Sequence, residues 1–98
     1  MVLAAPKISG LPKEVRAKVG AIVTLFCEAD GFPYRSYTWT KLDGSGAVVT
    51  LNRTQQLVIR NVSVASDTFY TCTSLNAVGK DDFVVHLIVH SKLKLFDI

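Results

Sequence analysis

Val19-Gly-Ala-Ile-Val-Thr-Leu-Phe-Cys-Glu-Ala29 alternates: Val19, Ala21, Val23, Leu25, Cys27 and Ala29 share one parity, with Gly20, Thr24 and Glu28 on the other. A period of two is the mark of a half-buried strand, since successive side chains of extended backbone point to opposite faces. Tyr37–Leu42, Gln56–Arg60, Phe69–Leu75 and Asp82–His90 repeat the theme with β-branched and aromatic residues. Asp30-Gly-Phe-Pro33, Asp43-Gly-Ser-Gly46 and Asn76-Ala-Val-Gly79 stand between them and read as turns. Pro6 and Pro12 suit an edge strand that starts, breaks and resumes, because proline has no N–H to give to a ladder. The count comes to about seven short strands, or eight with a divided first strand, and no helical stretch competes. Antiparallel sheets packed as a two-layer sandwich follow, an all-β fold.

Composition agrees with one folded domain. The chain has 98 residues, 49% of them hydrophobic and 19% charged, which is enough apolar matter for a core and too little charge for a disordered chain. Mean hydropathy is +0.31, yet no uncharged apolar run is long enough to span a bilayer as a helix. The domain is expected over residues 6–90. Residues 1–5 and 91–98 are expected to be tails or linker, with Met1 a start codon supplied for expression of a fragment. The net charge of +3 is scattered along the chain, so nucleic-acid binding, which needs a concentrated basic stripe, is not expected.

Cys27 and Cys72 both take inward parity on different strands, and only one pairing exists. A bridge across a loop of that length stabilises by about 4 kcal/mol, while the alternative is two buried thiols in a reducing compartment. Cys27, then Trp39, then Tyr70-Thr-Cys72 resembles the frame of the immunoglobulin superfamily. Gly31-Phe-Pro33, Leu57-Val-Ile59 with Asn61-Val62, and Asn76 with Gly79 are similar to its intermediate set (I-set). The resemblance implies an immunoglobulin-like sandwich with Trp39 packed on a Cys27–Cys72 disulfide between the sheets. It also implies a corner in which the Tyr70 hydroxyl bonds back to backbone. Two departures stand out. Ser66 and Thr68 occupy positions where the family has Asp and a small residue, with Asp67 displaced by one, so that Asp67 is expected to cap the corner or the turn to be strained. The stretch from Leu42 to Gln56 is short, so the strands there must be brief or partly absent.

No catalytic constellation is legible. His86 and His90 share a parity on one strand, but their Cβ atoms are about 13 Å apart along it, too far for one metal. No nucleophile elbow or phosphate-binding glycine loop is present, and neither cofactor nor metal is expected. Asn52-Arg-Thr54 and Asn61-Val-Ser63 are N-glycosylation sequons, and with paired cysteines they favour the cell exterior. Ile22, Phe26 and Val58 take the outward parity of two strands that the resemblance makes neighbours, and form a candidate protein-binding patch. Thr38, Thr40, Thr71, Thr73, Leu75, Val84, His86 and Ile88 face outward on the other sheet, where the histidines would make association pH-sensitive.

The resemblance therefore implies a non-catalytic extracellular module of a cell-adhesion molecule or receptor, binding protein, with a weak homodimer among the options. Membrane attachment would come only through other parts of the parent protein. The alternatives are an intracellular spacer of the titin type, against which the sequons argue, and a weak heparin- or polyanion-binding module using Lys13, Arg16 and Lys18.

Overall fold

The computed structural model describes residues 3–33 and 35–90; the expected tail at 91–98 lies outside the described residues. Among the described residues, nine strands run in the order β1 (Ala4–Ser9), β2 (Glu14–Lys18), β3 (Val23–Phe26), β4 (Glu28–Phe32), β5 (Ser36–Leu42), β6 (Val48–Asn52), β7 (Gln56–Ile59), β8 (Thr68–Leu75) and β9 (Lys80–His90). A 3-10 turn, Val64–Ser66, precedes β8. One layer is the five-stranded sheet β2-β9-β8-β5-β6, and the facing layer is built from the pairs β1-β4 and β3-β7. Every pairing is antiparallel except β2 with β9, which is parallel.

The first strand divides as its prolines suggest. β1 pairs with β4 in one layer and β2 with β9 in the other, and the crossing runs through Gly10-Leu-Pro-Lys13, where Gly10 takes a φ of +81°. β1 begins at Ala4, so Ala4 and Ala5 lie in a strand two residues ahead of the expected Pro6 boundary. The alternation from Val23 to Ala29 is realised residue by residue: Val23, Leu25, Cys27 and Ala29 are buried and Thr24, Phe26 and Glu28 exposed.

Asp30-Gly-Phe32 is a correction to the turn reading. These residues continue β4, with Asp30 paired to Lys7 and Phe32 to Ala4, and the chain turns only after the cis Phe32–Pro33 bond. Gly31 here serves close approach instead of reversal. Its φ is +131°, and a Cβ at this position would stand 3.0 Å from the Pro6 Cα and 3.2 Å from the Ala4 carbonyl oxygen. Gly31→Ala is therefore expected to cost about 2–3 kcal/mol, combining left-handed strain with a backbone clash that no rotamer relieves. Urea unfolding measures it, and a loss under about 0.5 kcal/mol would mean that β1 can separate from β4 freely.

The other two turns form where expected. The Asp43 carboxylate accepts from the Ser45 N–H at 2.8 Å, the Ser45 hydroxyl at 2.6 Å and the Ala47 N–H at 3.0 Å, closing the β5–β6 hairpin. Asn76 Oδ1 accepts from the N–H groups of Val78 and Gly79 at 2.9 and 3.1 Å. Between β5 and β7 the chain has room for β6 alone; Arg53–Gln55 leads directly into β7. Among the described residues, β7 consequently has β3 on one side and no strand on the other.

The core lies between the layers. Cys27 and Cys72 are joined by a disulfide with Cα atoms 6.5 Å apart. Trp39, directly opposite Cys72 in the β5–β8 register, is fully buried, as are Val62, Val85 and Leu87, and the buried Ile8, Val23, Leu25 and Leu57 complete the core with them. The Trp39 indole N–H donates to the Gln55 carbonyl at 3.0 Å, and the Gln55 side-chain amide donates to the Cys27 carbonyl at 3.1 Å. Gln55 thereby ties the buried polar groups of the tryptophan and cysteine to one another.

Candidate functional site

The register of β3 with β7 decides whether the outward apolar residues meet. Thr24 is opposite Val58 and Phe26 opposite Gln56, so Val58 is a diagonal neighbour of Phe26, at the distance of about 7–8 Å where large side chains still touch. Ile22 precedes β3 on the same parity and flanks Val58 from the other diagonal. Ile22 is 61%, Phe26 53% and Val58 36% exposed. The three residues therefore share one outward face, bordered by Thr24 and Gln56.

The five-stranded layer presents a second apolar feature that parity alone did not assemble. Thr38, Thr40, Thr71, Thr73, His86 and Ile88 are half-buried on its outer face, with Leu75 and Val84 exposed. Leu42, Val48 and Phe69 join Val84 around a groove of about 500 Å³ that also touches Thr40 and Thr71. Leu42 and Val48 flank the hairpin turn and Phe69 opens β8. Their convergence depends on three different strand pairings, and the period of each strand carries no trace of it.

Asp67 takes a different post from the one expected. The corner is closed without it, by the Tyr70 hydroxyl donating to the Ser66 carbonyl at 2.7 Å and the Ser63 N–H donating to the Ser66 hydroxyl at 3.0 Å. The Asp67 carboxylate instead reaches β9, accepting the Val89 N–H at 2.9 Å and lying 3.4 Å from His86 Nε2. The His86 ring in turn stacks on Phe69, with centroids 4.3 Å apart. The Val89 N–H, and after it His86, holds Asp67 below the ordinary aspartate value of 3.8. A depressed folded pKa contributes stability that is present above the unfolded pKa and lost as pH falls through the folded one. Thermal unfolding between about pH 5 and pH 2 is expected to show a steeper acid decline for the parent than for Asp67→Asn; parallel curves would show that the Val89 contact does not survive in solution.

The remaining candidates are dispersed. His86 and His90 lie on one face of β9, and no group of three His, Cys, Asp or Glu side chains converges among the described residues. Arg16 and Lys18 share the outer face of β2, but Arg16 is paired with Glu14 at 2.9 Å. Lys13 precedes the strand, so the basic footprint there is partly neutralised. Asn52 ends β6, with Nδ2 donating to the Gln56 carbonyl at 2.9 Å and Oδ1 accepting from the Thr54 N–H at 3.1 Å. Asn61 is exposed at a φ of +50° just beyond β7.

A disulfide pinning two antiparallel layers, a buried tryptophan beside it and a tyrosine corner define the immunoglobulin class. The family model described as immunoglobulin domain matches residues 5–76, and the chain belongs to that family. Among curated relatives, rat neural cell adhesion molecule 1 is 35% identical over 88 residues, covering 81% of this chain and 10% of the relative. Rat vascular cell adhesion protein 1 is 31% identical over 83 residues, covering 85% of this chain and 11% of the relative. The chain thus spans about a tenth of the adhesion molecules it matches. A solved structure of Dpr2 Ig1-Ig2 in complex with DIP-Theta Ig1-Ig3 superposes with a TM-score of 0.76 at 26% identity, covering 90% of this chain and 33% of that one.

Proposed function

We propose that this chain is a non-catalytic, extracellular immunoglobulin module that binds protein through the outer face of β3 and β7. The observation that carries the reading is the placement of Ile22, Phe26 and Val58 together on one face, all exposed. Isolated exposed hydrophobes are ordinary. Three brought within diagonal reach on one sheet face are what a contact surface requires. Similarity to neural and vascular adhesion molecules supports a role at the cell surface, and sugar on Asn52 and Asn61 would fit the same setting. A like copy is the simplest partner, because a two-fold axis over Val58 brings two such patches together.

Sedimentation velocity over a range of concentrations tests this. A concentration-dependent dimer is expected, and Phe26→Asp, at an exposed position, should weaken it about tenfold or more by placing a charge in an apolar contact. Unchanged thermal unfolding shows that the fold is intact. A dimer indifferent to that substitution would move the contact to another surface.

A further inference from the structure

Among the described residues no strand pairs with the outer edge of β7, and the phase of its backbone groups can be read from the surrounding bonds. The Cys27 N–H donates to the Gln55 carbonyl at 2.8 Å, and in an antiparallel ladder bonded and non-bonded pairs alternate. Leu57 and Ile59 therefore turn their N–H and C=O groups toward β3, where they face Leu25 and Val23. Gln56 and Val58 turn theirs away. The Gln56 carbonyl confirms the direction, since it accepts from the open side: from Asn52 Nδ2 at 2.9 Å and from the Thr54 hydroxyl at 3.1 Å. The Val58 N–H and C=O one step along face the space where a further strand would lie.

That space is shaped. A cleft of about 340 Å³ runs between the β7 edge and the β5–β6 hairpin, with Leu51, Leu57 and Ile59 as apolar lining and Lys41 and Arg60 as its charged residues. None of the residues lining it is acidic. Lys41 is unusual for its place: it occupies the inward parity of β5, two residues beyond Trp39, where an apolar side chain would be expected. An inward lysine beside an open edge hinders pairing with a copy of itself, because two such edges would bring cations toward cations. The same charge favours an acidic occupant.

We propose that the β7 edge is a second binding site that takes an extended acidic peptide segment as an added strand, through the backbone of Val58 and not through the side chain that Val58 gives to the outer-face patch. The Val58 N–H and C=O supply the backbone pairing. Apolar side chains of the segment enter the cleft beside Leu57 and Ile59, and its carboxylates, on the opposite face, meet Arg60, while Lys41 adds positive charge within the cleft. Strand addition of this kind draws affinity from main-chain hydrogen bonds and selectivity from alternate side chains.

The probe is the blocked, fluorescently labelled pentapeptide Glu-Val-Thr-Val-Glu, whose palindromic order suits either strand direction, with Lys-Val-Thr-Val-Lys as its control. The protein is secreted from eukaryotic cells and any N-linked sugar is trimmed to one residue, so that Asn52 does not wall off the edge. Binding is read by fluorescence anisotropy and by amide exchange. The acidic peptide is expected to bind more tightly than the basic one, to weaken as salt is raised to about 0.5 M, and to slow exchange of the Val58 amide. Val58→Pro removes a donor that faces away from the β3 ladder, so the sheet is retained while binding falls by about tenfold, the equivalent of one hydrogen bond. Arg60→Glu, at an exposed position, gives a second reading that does not rest on proline: it leaves Lys41 opposed by a carboxylate and should erase the preference between the two peptides. Phe26→Asp should change neither.

Equal binding of the two peptides, or no binding, would overturn the proposal. So would indifference to both Val58→Pro and Arg60→Glu, or slowed exchange confined to β8 and β9. A dimer lost in Val58→Pro but kept in Phe26→Asp would make the occupant a second copy and overturn the choice of an acidic segment.

Discussion

Replacing Cys27 and Cys72 together by alanine is expected to lower the unfolding free energy by about 4 kcal/mol. The disulfide joins residues 45 apart in sequence, and a cross-link over that span removes a large set of conformations from the unfolded chain. Small domains keep only about 5–15 kcal/mol in all, so the variant should fold marginally or not at all at body temperature. The single variants carry the sharper test. Cys27→Ala alone already opens the loop, so adding Cys72→Ala should cost far less than its own single effect, a non-additivity of about 3 kcal/mol. Urea unfolding of the parent, both singles and the double measures all four corners. The urea dependence should also steepen without the bridge, because the unfolded chain then expands and exposes more surface. If the two single losses simply summed, the bridge would be acting through packing of the sulfurs instead of through the unfolded chain.

Most of this frame is legible in the sequence, for a reason that particular residues show. The parity of Val23, Leu25 and Cys27 is a local property, fixed by extended backbone, and the structure buries each of them. Trp39 and Tyr70 were legible through the family resemblance, and their polar atoms find the partners that burial demands, the Gln55 and Ser66 carbonyls. Asp30-Gly31-Phe32 misled because its composition favours a turn locally, while pairing with β1 uses the same glycine for close approach. Asp67 misled in the opposite way. Its sequence position placed it at the corner, but its partner is the Val89 N–H, and only the packing of β9 against that loop reveals this. The apolar groove of Leu42, Val48, Phe69 and Val84 was illegible for a third reason, being a product of register among four strands. The Ile22, Phe26 and Val58 patch needed only two strands to be neighbours, which the family resemblance implied. The open edge of β7 follows from a strand that the chain has no room to form, as the short stretch from Leu42 to Gln56 implied, whereas the inward parity of Lys41 gains meaning only beside the cleft.

Truncating Trp39 to alanine should cost about 3–5 kcal/mol, the range for emptying a fully buried aromatic site. The indole is entirely enclosed, at the centre of the contact between layers, where neighbours tethered by the disulfide cannot collapse into the void. Trp39→Phe separates packing from hydrogen bonding at the same position. The indole N–H donates to the Gln55 carbonyl, but that oxygen also accepts the Cys27 N–H at 2.8 Å, so losing the indole does not leave it unpaired. The usual penalty for an orphaned buried acceptor is therefore reduced, and Trp39→Phe is expected to cost about 1–2 kcal/mol, mainly as lost volume. Trp39 is the chain's one tryptophan, so unfolding of the variants is followed by circular dichroism instead of indole fluorescence. A phenylalanine variant as unstable as the alanine variant would show that the bond to Gln55, and not the bulk of the ring, holds β5 to the segment before β7. The two layers would then be joined there chiefly through the backbone of Gln55.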